Sequence, residues 1–328
     1  MKVALIGGAG FVGHHLALAL RARGDDVLCC DSLAVNNVLS VISMAEMPHA
    51  ARYLAMVCER LALLRAAGAS LEVVDARDYH ALSRVIARFS ADAVVQLAAV
   101  SHIDRANKDP HSTFDHSLRT LENALDVTRA IHAHFVYFSS STVYGDFRAP
   151  TVWEDTPCQP KGIYGTLKLA GELIVAAYRD TYEMPATIIR PCALYGPRCI
   201  SGRVPQKFIE AALQGEPLAI HGDGRAEHDF TSVHDLVAGV LLVLNKDIAK
   251  GETFNLTAGA SRTLNALANI VQGAFPTVTL GYAAPDPEKP SRGTLAVTKA
   301  RRLLGYEPRY TLEQGMADYI AWYRDFWK

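Results

Sequence analysis

A tyrosine and a lysine stand four residues apart in the middle of the chain, at Tyr164 and Lys168. On a helix, side chains with this spacing lie on one face, so the two groups would be neighbours. A tyrosine hydroxyl with a pKa of about 10 is a poor base at neutral pH, but a nearby ammonium lowers that pKa by stabilising the phenolate. Because the spacing is common by chance, the pair predicts proton transfer only if its surroundings also suit chemistry.

Three consecutive serines, Ser139 to Ser141, stand at the end of an apolar segment that starts at Phe135. A hydroxyl at the end of a strand can hydrogen-bond the reacting oxygen of a bound substrate. The tyrosine–lysine pair therefore gains weight from these serines and from a glycine-rich loop at the start of the chain.

A glycine-rich loop lies at the start of the chain, where Gly7, Gly10 and Gly13 follow an apolar segment and precede a helical one. Glycine at these positions allows a tight turn, a close approach of the backbone to a pyrophosphate, and close packing of helix on strand. The N-terminus of the following helix, which includes Phe11 and Val12, adds N–H donors and a partial positive charge. The context favours dinucleotide binding over a plain glycine-rich turn.

Asp31 ends the second predicted strand, about 20 residues beyond the glycine loop. A carboxylate there can accept hydrogen bonds from a ribose 2′-hydroxyl and would repel a 2′-phosphate, so NAD is favoured over NADP. The alternative is that Asp31 only caps the next turn. Five residues at the ends of the third and fourth strands are further cofactor-binding candidates, with simple strand-end packing as the alternative: Asp75, Ala76, Leu97, Ala98 and Ala99.

Short apolar segments alternate with longer amphipathic ones over the first 140 or so residues, which is typical of a parallel sheet covered by helices. We expect strands at 2–6, 26–30, 71–74, 93–97, 135–139 and 186–190, and helices at 11–23, 52–67, 79–88, 112–132 and 164–182. The pattern predicts an α/β fold with a Rossmann-type doubly wound parallel sheet. We expect an NAD-binding domain at 1–185, to which segments near 186–195 and 228–256 return, and a smaller α/β substrate domain at 191–328.

The 328-residue chain has a formal net charge of -1 and an ordinary globular composition, so it has no basic field that would attract nucleic acid. Its six cysteines have no C-x-x-C spacing, and its histidines show no metal-ligand pattern. No apolar stretch approaches the roughly 20 residues that span a bilayer. We therefore expect no metal and no membrane partner, and a cytoplasmic location.

The chain resembles the extended short-chain dehydrogenase/reductase family, most closely its UDP-glucose 4-epimerase-like, sugar-nucleotide branch. Besides the glycine loop and the tyrosine–lysine pair, the resemblance rests on the runs at 138–145 (FSSSTVYG), 190–198 (RPCALYGPR), 222–224 (GDG), 229–230 (DF), 233–235 (VHD) and 299–308 (KARRLLGYEP). In that family the catalytic hydroxyl stands three residues before the Val of the Val-Tyr-Gly run. That position is Ser140 here.

The resemblance implies an NAD-dependent epimerase that acts on a nucleotide sugar, with a UDP-hexose as the expected substrate. Tyr164 would take a proton from a sugar hydroxyl, that on C4 in the family pattern, while the hydride passes to NAD⁺; the 4-keto sugar would then be reduced on its other face. Lys168 would also hold the nicotinamide ribose. The resemblance further implies a homodimer, formed through the helices at 112–132 and 164–182, and adds Ser117 and Pro191 to the cofactor-binding residues.

Several positions depart from the family pattern. The family's dehydratases and decarboxylases carry an acid just before the Val of the Val-Tyr-Gly run, and this chain has Thr142 there, so elimination of water is disfavoured. Two arginines that usually grip the diphosphate are replaced by His228 and Lys289, and Arg203, Lys207, Arg225 and Arg292 are alternatives for that role. Gln96 stands where a His is common. The candidate substrate-binding residues are Ser140, Ser141, Thr142, Tyr164, Arg198, His228, Lys289 and Arg292.

Two other functions fit parts of the sequence. A nucleotide-sugar 4-ketoreductase would use the same three catalytic residues but would consume NAD(P)H at each turnover. A non-catalytic dinucleotide sensor could share the fold, although it would have no need of a phenolate.

Overall fold

A computed structural model of the protein describes residues 1–43, 49–99, 108–284 and 290–327. The first half alternates strands and helices. Its elements are β1 (Lys2–Ile6), α1 (Phe11–Arg23), β2 (Asp26–Asp31), α2 (Val38–Ser43), α3 (Ala50–Ala66), β3 (Ser70–Val73), α4 (Tyr79–Phe89), β4 (Ala93–Gln96), α5 (Pro110–Phe114), α6 (Thr120–Ala130) and β5 (His134–Phe138).

The second half contains longer helices and several very short strands. Its elements are β6 (Thr151–Val152), α7 (Gly162–Tyr182), β7 (Ala186–Arg190), α8 (Val204–Gln214), β8 (Leu218–His221), β9 (Glu227–His228), α9 (Val233–Asn245), β10 (Thr253–Asn255), β11 (Arg262–Thr263), α10 (Leu264–Ala274), β12 (Leu280–Ala283), β13 (Thr294–Leu295), α11 (Thr298–Leu304) and α12 (Leu312–Phe326). A 3₁₀ turn, Ser141–Tyr144, follows β5.

Seven parallel strands form the central sheet in the order β3-β2-β1-β4-β5-β7-β10. The order reverses between β1 and β4, and in such sheets ligands bind outside the carboxyl ends of the strands at that point. The structure confirms the predicted doubly wound sheet. It also shows that β7 and β10, from the second half of the chain, extend one edge of it.

Side chains alternate between the two faces of this sheet, as the pleat requires. Val3 and Leu5 of β1 pack into a core shared with α1 and α9, whereas Ala4 and Ile6 pack into the core on the other face. A third apolar core is built by α8, α10 and α12 and also takes in Met56 of α3. The inserted helix α3 therefore contributes both to this core, through Met56, and to the core that contains α1, through Leu64.

The boundaries of several elements differ from the expected ones by one or two residues, while β1, α1 and β7 have the expected bounds. The helix expected at 112–132 is not one regular α-helix. A five-residue π-helical segment, Asp115–Arg119, separates α5 from α6. Such wide turns are frequent at functional sites, and this one faces the cleft described below. Among the helices of the described ranges, none combines the length and apolar character needed to cross a membrane.

Candidate active site

The glycine loop lies flat against the carboxyl ends of the central strands. Gly7 has a φ of 86°, and a Cβ added there would lie 2.8 Å from the backbone nitrogen of Ala98. A Cβ on Gly13 would lie 2.4 Å from the carbonyl oxygen of Gly7. The loop and the first turn of α1 therefore accept no side chain at these points, and this leaves room for a phosphate group beside backbone N–H donors.

Asp31 lies at the end of β2, beside this loop. Its carboxylate accepts hydrogen bonds from the backbone nitrogens of Ala9, at 3.0 Å, and Leu33, at 2.8 Å. Burial raises the pKa of this carboxyl, and the two N–H donors oppose that rise. Backbone donors therefore already hold in place the carboxylate for which the sequence predicts a ribose contact.

One continuous cleft runs from the glycine loop to Tyr164. Fourteen of the fifteen residues proposed from the sequence to bind the cofactor line it: Gly7, Gly10, Phe11, Val12, Gly13, Asp31, Asp75, Ala76, Leu97, Ala98, Ala99, Tyr164, Lys168 and Pro191. Ser117, the fifteenth, is buried in the π-helical segment, and its neighbours His116 and Thr120 line the cleft instead. The sheet thus brings together residues that are far apart in the sequence.

Sequence reasoning missed Arg60, a fully buried arginine on α3 that also lines the cleft. Its guanidinium donates to the carbonyl oxygen of Asn36 at 3.1 Å and to that of Arg198 at 3.0 and 2.5 Å. These bonds connect α3 to two loops, one at Asn36 and one at Arg198. The helical pattern at 52–67 predicted the helix but carried no signal that one of its arginines points inward.

Ser140, Tyr164 and Lys168 meet at the other end of the cleft. The Ser140 Oγ accepts a hydrogen bond from the backbone nitrogen of Thr142 at 3.2 Å, and its hydroxyl contacts that of Tyr164. The Lys168 Nζ donates to the carbonyl oxygen of Phe138 at 2.6 Å. The three groups therefore converge where β5 ends and α7 begins.

The electrostatics of this end differ in one respect from the sequence-based expectation. Burial raises the pKa of the Tyr164 hydroxyl, and the groups that oppose this rise are Arg203, Ser140 and Arg292. Burial also lowers the pKa of Lys168 to about 8, with Glu172 acting in the opposite direction. In this structure two arginines, rather than the lysine, are the cations that favour the phenolate.

A buried ionic network lies directly beneath the three residues. Arg190 of β7 binds Glu172 of α7 with two parallel hydrogen bonds, at 2.9 and 2.6 Å, and Ser139 donates a short hydrogen bond to the same carboxylate. Arg190 also bonds the Tyr144 hydroxyl at 2.9 Å. Because a bidentate pair fixes orientation as well as distance, the network holds β5, α7 and β7 in register under Ser140 and Lys168.

The substrate-side candidates occupy different places. Arg292 donates to the carbonyl oxygen of Ser141 at 2.9 Å, next to Ser140. The Thr142 hydroxyl is buried and has no hydrogen-bond partner among the described residues. His228 lies on β9, paired with β11, with its ring 5.5 Å from that of Phe230. Lys289 lies outside the described residues.

Arg198 points away from this end of the cleft. Its Nε bonds the His14 ring at 2.9 Å, and its Nη1 pairs with Glu59 at 3.1 Å. Its backbone has a φ of 62°, in the left-handed region, and its side chain contacts α1 and α3. Three or more metal-ligating side chains do not cluster anywhere in the part of the chain that the structure describes.

Comparison with known proteins decides the family. The NAD dependent epimerase/dehydratase family matches residues 3–257 of the chain. This chain belongs to that family. An uncharacterised UDP-glucose epimerase of Bacillus subtilis is 30% identical, with 98% of each chain covered. A dTDP-glucose 4,6-dehydratase of Neisseria gonorrhoeae is 27% identical, over 99% of this chain and 96% of that one.

The fold agrees with that of solved members of the family. The crystal structure of a UDP-glucose 4-epimerase from Thermotoga maritima with UDP-glucose superposes with a TM-score of 0.86, at 24% identity and with 100% of both chains covered. Membership of an NAD-dependent family identifies the cofactor as NAD, which agrees with the expectation from Asp31. The glycine loop, in which a Cβ on Gly13 would collide with Gly7, is the feature of this chain that fits the dinucleotide.

Proposed function

We propose that the protein is an NAD-dependent nucleotide-sugar epimerase that inverts C4 of a UDP-hexose or a related sugar through a transient 4-keto intermediate. The observation that carries this proposal is the contact of the Ser140 hydroxyl with that of Tyr164, which lines the cleft that starts at the glycine loop. Lys168 lies in the same cleft. This arrangement supports a role for Tyr164 in proton transfer next to the bound cofactor.

The cofactor supplies a site that accepts a hydride from C4 and returns it. Tyr164, with Arg203 and Arg292 near its hydroxyl, takes the proton of the C4 hydroxyl as the C4–H bond breaks. Ser140 hydrogen-bonds the same oxygen while it changes from hydroxyl to ketone. After the ketone presents its other face, Tyr164 gives the proton back to the C4 oxygen, so that the reaction consumes neither electrons nor protons overall.

The site residues follow from this assignment. We assign catalysis to Ser140, Tyr164 and Lys168, and NAD binding to Gly7, Gly10, Phe11, Val12, Gly13, Asp31, Asp75, Ala76, Leu97, Ala98, Ala99, Tyr164, Lys168 and Pro191, which share the cleft. Ser117 is assigned to the same set through its position beside His116 and Thr120. For the substrate we retain Ser140, Ser141, Thr142, Tyr164, His228, Lys289 and Arg292.

Thr142 separates this proposal from the other activities of the family. Water elimination at C5 and C6 needs a general acid beside the substrate, and the side chain at this position is a buried hydroxyl without a partner among the described residues. The relatives include both an epimerase and dehydratases by name, so the family alone leaves the reaction open. The residue at 142 favours epimerisation.

The test is incubation of the purified protein with UDP-, GDP-, CDP- and dTDP-sugars without added cofactor, followed by mass spectrometry and NMR of the products. We expect a product of unchanged mass with an inverted C4. The nucleotide sugar that is converted fastest identifies the preferred nucleotide. If conversion requires added NAD(P)H and the product is two mass units heavier than a keto-sugar substrate, the enzyme is a 4-ketoreductase. A product that has lost the mass of one water molecule would show a dehydratase.

We further propose a homodimer formed through α5, α6 and α7. Three large apolar side chains on these helices are more than half exposed: Phe114 (57%), Leu173 (65%) and Tyr182 (51%). Covering them would remove apolar surface from water. Light scattering at micromolar concentration should give a dimer mass, and Leu173→Glu should shift it toward the monomer. A wild-type monomer would contradict the proposal.

We propose that an NAD-binding domain comprises 1–185 together with segments near 186–195 and 228–256, and that 191–328 supplies a smaller substrate domain. This division is supported by β7 and β10, which join the central sheet, and by the separate core of α8, α10 and α12. Limited proteolysis with and without NAD tests the boundary. We also propose a cytoplasmic location because the six cysteines are free thiols, and cell fractionation tests it.

A further inference from the structure

Two arginines flank the catalytic tyrosine from different parts of the chain. Arg203 precedes α8 and lines the cleft with Tyr164 and Lys168. Arg292 precedes β13 and donates to the carbonyl oxygen of Ser141 at 2.9 Å. Both guanidiniums lie close enough to the Tyr164 hydroxyl to lower its pKa. Two positive charges thus face the oxygen that reacts with the sugar.

Neither arginine forms an ion pair with a carboxylate in the described ranges. Within those ranges the side chain of Arg203 bonds the hydroxyl of Ser201, at 3.3 Å. Asp146 is a carboxylate that acts electrostatically on Arg292, but it already pairs with Lys161 and accepts a hydrogen bond from the backbone nitrogen of Ser291 at 2.8 Å. Uncompensated charges in a cleft are costly unless a ligand brings the opposite charge.

The chemistry of the sugar identifies which anion can reach both arginines. Tyr164 must contact the oxygen on C4, and the carbon next to C4 is C5, which carries C6. A carboxylate at C6 therefore lies within a few bonds of the reacting oxygen. In contrast, the diphosphate is attached at C1, on the opposite side of the ring. A neutral CH₂OH at C6 would leave both guanidiniums without a counter-charge.

Two features of the turn after Ser140 suit the same anion. The side chain at 142 is a hydroxyl, so the turn places no negative charge against a sugar carboxylate. The Thr142 Oγ1 is buried and has no partner among the described residues, so it is available to donate a hydrogen bond. An arginine guanidinium binds a carboxylate through two parallel N–H donors, which fixes orientation as well as charge.

We propose that Arg203 and Arg292 form an anion subsite beside Tyr164 that binds the C6 carboxylate of a UDP-hexuronic acid. This rests on the proposed function, because it assumes that a sugar C4 lies against Tyr164. It narrows the substrate class from hexoses in general to those whose C6 is a carboxylate.

The experiment compares UDP-glucuronate with UDP-glucose, which differ only in the oxidation state of C6. Binding to the NAD-loaded enzyme is measured by calorimetry, and turnover is measured separately by NMR. We expect UDP-glucuronate to have the higher kcat/KM, by roughly 10- to 100-fold, which is the usual range for hydrogen bonds to a charged group. Equal or better use of UDP-glucose would overturn the proposal.

Substitutions test whether the two arginines cause the preference for UDP-glucuronate over UDP-glucose. Arg292→Met and, independently, Arg203→Met should each weaken UDP-glucuronate binding roughly tenfold or more and leave UDP-glucose binding within about threefold. The matched control is Arg88→Met, because the Arg88 side chain lies on α4 and is 71% exposed. Equal losses for both ligands would show that the arginines hold the shared diphosphate, and the carboxylate subsite would be refuted. The Arg203→Met variant serves if loss of the Ser141 contact unfolds the Arg292→Met variant.

The binding and turnover measurements test the carboxylate subsite and the proposed epimerase activity independently. Selective binding of UDP-glucuronate without C4 inversion would support the subsite and refute the proposed epimerase. A 4-keto hexuronic acid is a β-keto acid that can lose CO₂, so a UDP-pentose product would also support carboxylate binding while refuting epimerisation. Inversion of C4 in UDP-glucose with no preference for the acid would support the epimerase and refute the subsite.

Discussion

The two ends of the cleft are built in different ways. The cofactor end consists of the glycine loop and of residues at the ends of β1 to β4, all of which belong to one parallel sheet. The substrate end is assembled from the turn after β5, the start of α7, the segment before α8 and the segment before β13. Strand ends converge because parallel pairing requires it, whereas separate loops meet only through tertiary packing.

This difference explains why the two ends diverge from the family pattern to different degrees. Backbone geometry at Gly7 and Gly13 tolerates almost no change, since a Cβ at either would collide with backbone atoms. Loop side chains at the substrate end can change without disturbing the sheet. Substitutions at the two ends should therefore separate loss of cofactor from loss of substrate chemistry.

The largest expected effect is a loss of turnover at Tyr164, where the two ends of the cleft meet. Tyr164→Phe removes the proton acceptor but keeps the ring, so turnover should fall roughly 10²- to 10⁴-fold while NAD affinity stays within about threefold. Steady-state kinetics and NAD calorimetry measure the two quantities. The matched control, Tyr182→Phe, lies at the exposed end of the same helix and should have wild-type activity. Near-normal turnover by the Tyr164→Phe variant would mean that another group is the base.

The next largest effect is a loss of NAD affinity and is expected at the cofactor end alone. Gly13→Ala places a Cβ 2.4 Å from the Gly7 carbonyl oxygen, so the loop must shift. Overpacking of this kind costs about 1–3 kcal/mol, and NAD affinity should fall by a comparable factor, roughly 5- to 150-fold. Calorimetry with NAD checks this.

Gly273→Ala is the control for that change because an added Cβ there meets no atom within 4 Å. It lies on α10, where alanine is the better helix former. We expect it to bind NAD normally and to be slightly more stable. Unchanged NAD affinity in Gly13→Ala would mean that the loop is looser than the close contacts indicate.

Much of the cofactor end could be predicted from the sequence because its signals are local. The apolar segments, the glycine spacing and Asp31 each identify a strand end, and parallel pairing then places those ends together. The family resemblance added Ser140 to the tyrosine–lysine pair. In the structure Tyr164 and Lys168 line one cleft, and the Ser140 hydroxyl contacts that of Tyr164.

The remaining features depend on side-chain direction and long-range packing, which local patterns do not encode. Arg60 points inward because α3 packs against two loops, at Asn36 and Arg198, that are distant in sequence. The convergence of Arg203 and Arg292 on Tyr164 joins segments separated by much of the second half of the chain. Arg198 turns away and has a left-handed backbone conformation that a non-glycine residue rarely adopts.

A smaller effect on NAD affinity is expected when a change of pH removes the charge of Lys168, where the two ends of the cleft meet. Burial lowers the pKa of Lys168 to about 8, so its ammonium is largely charged at pH 7 and largely neutral at pH 9. If the charged form holds the nicotinamide ribose, NAD affinity should fall by up to about tenfold between these values. In Lys168→Met the affinity should be weak and independent of pH across the same range. A pH-dependent fall that persists in the variant would assign the titration to another group.

The smallest effect on substrate use is expected at Arg198, which the sequence placed at the substrate end. Its side chain bonds His14, whose pKa is lowered by burial, and pairs with Glu59. Arg198→Met should therefore lower the free energy of unfolding by about 1–3 kcal/mol, because buried polar groups lose their partner. The KM for the nucleotide sugar should stay within about twofold. Thermal unfolding and kinetics measure both, and a large rise in KM at unchanged stability would instead make Arg198 a substrate ligand, which would extend the substrate end of the cleft toward α1.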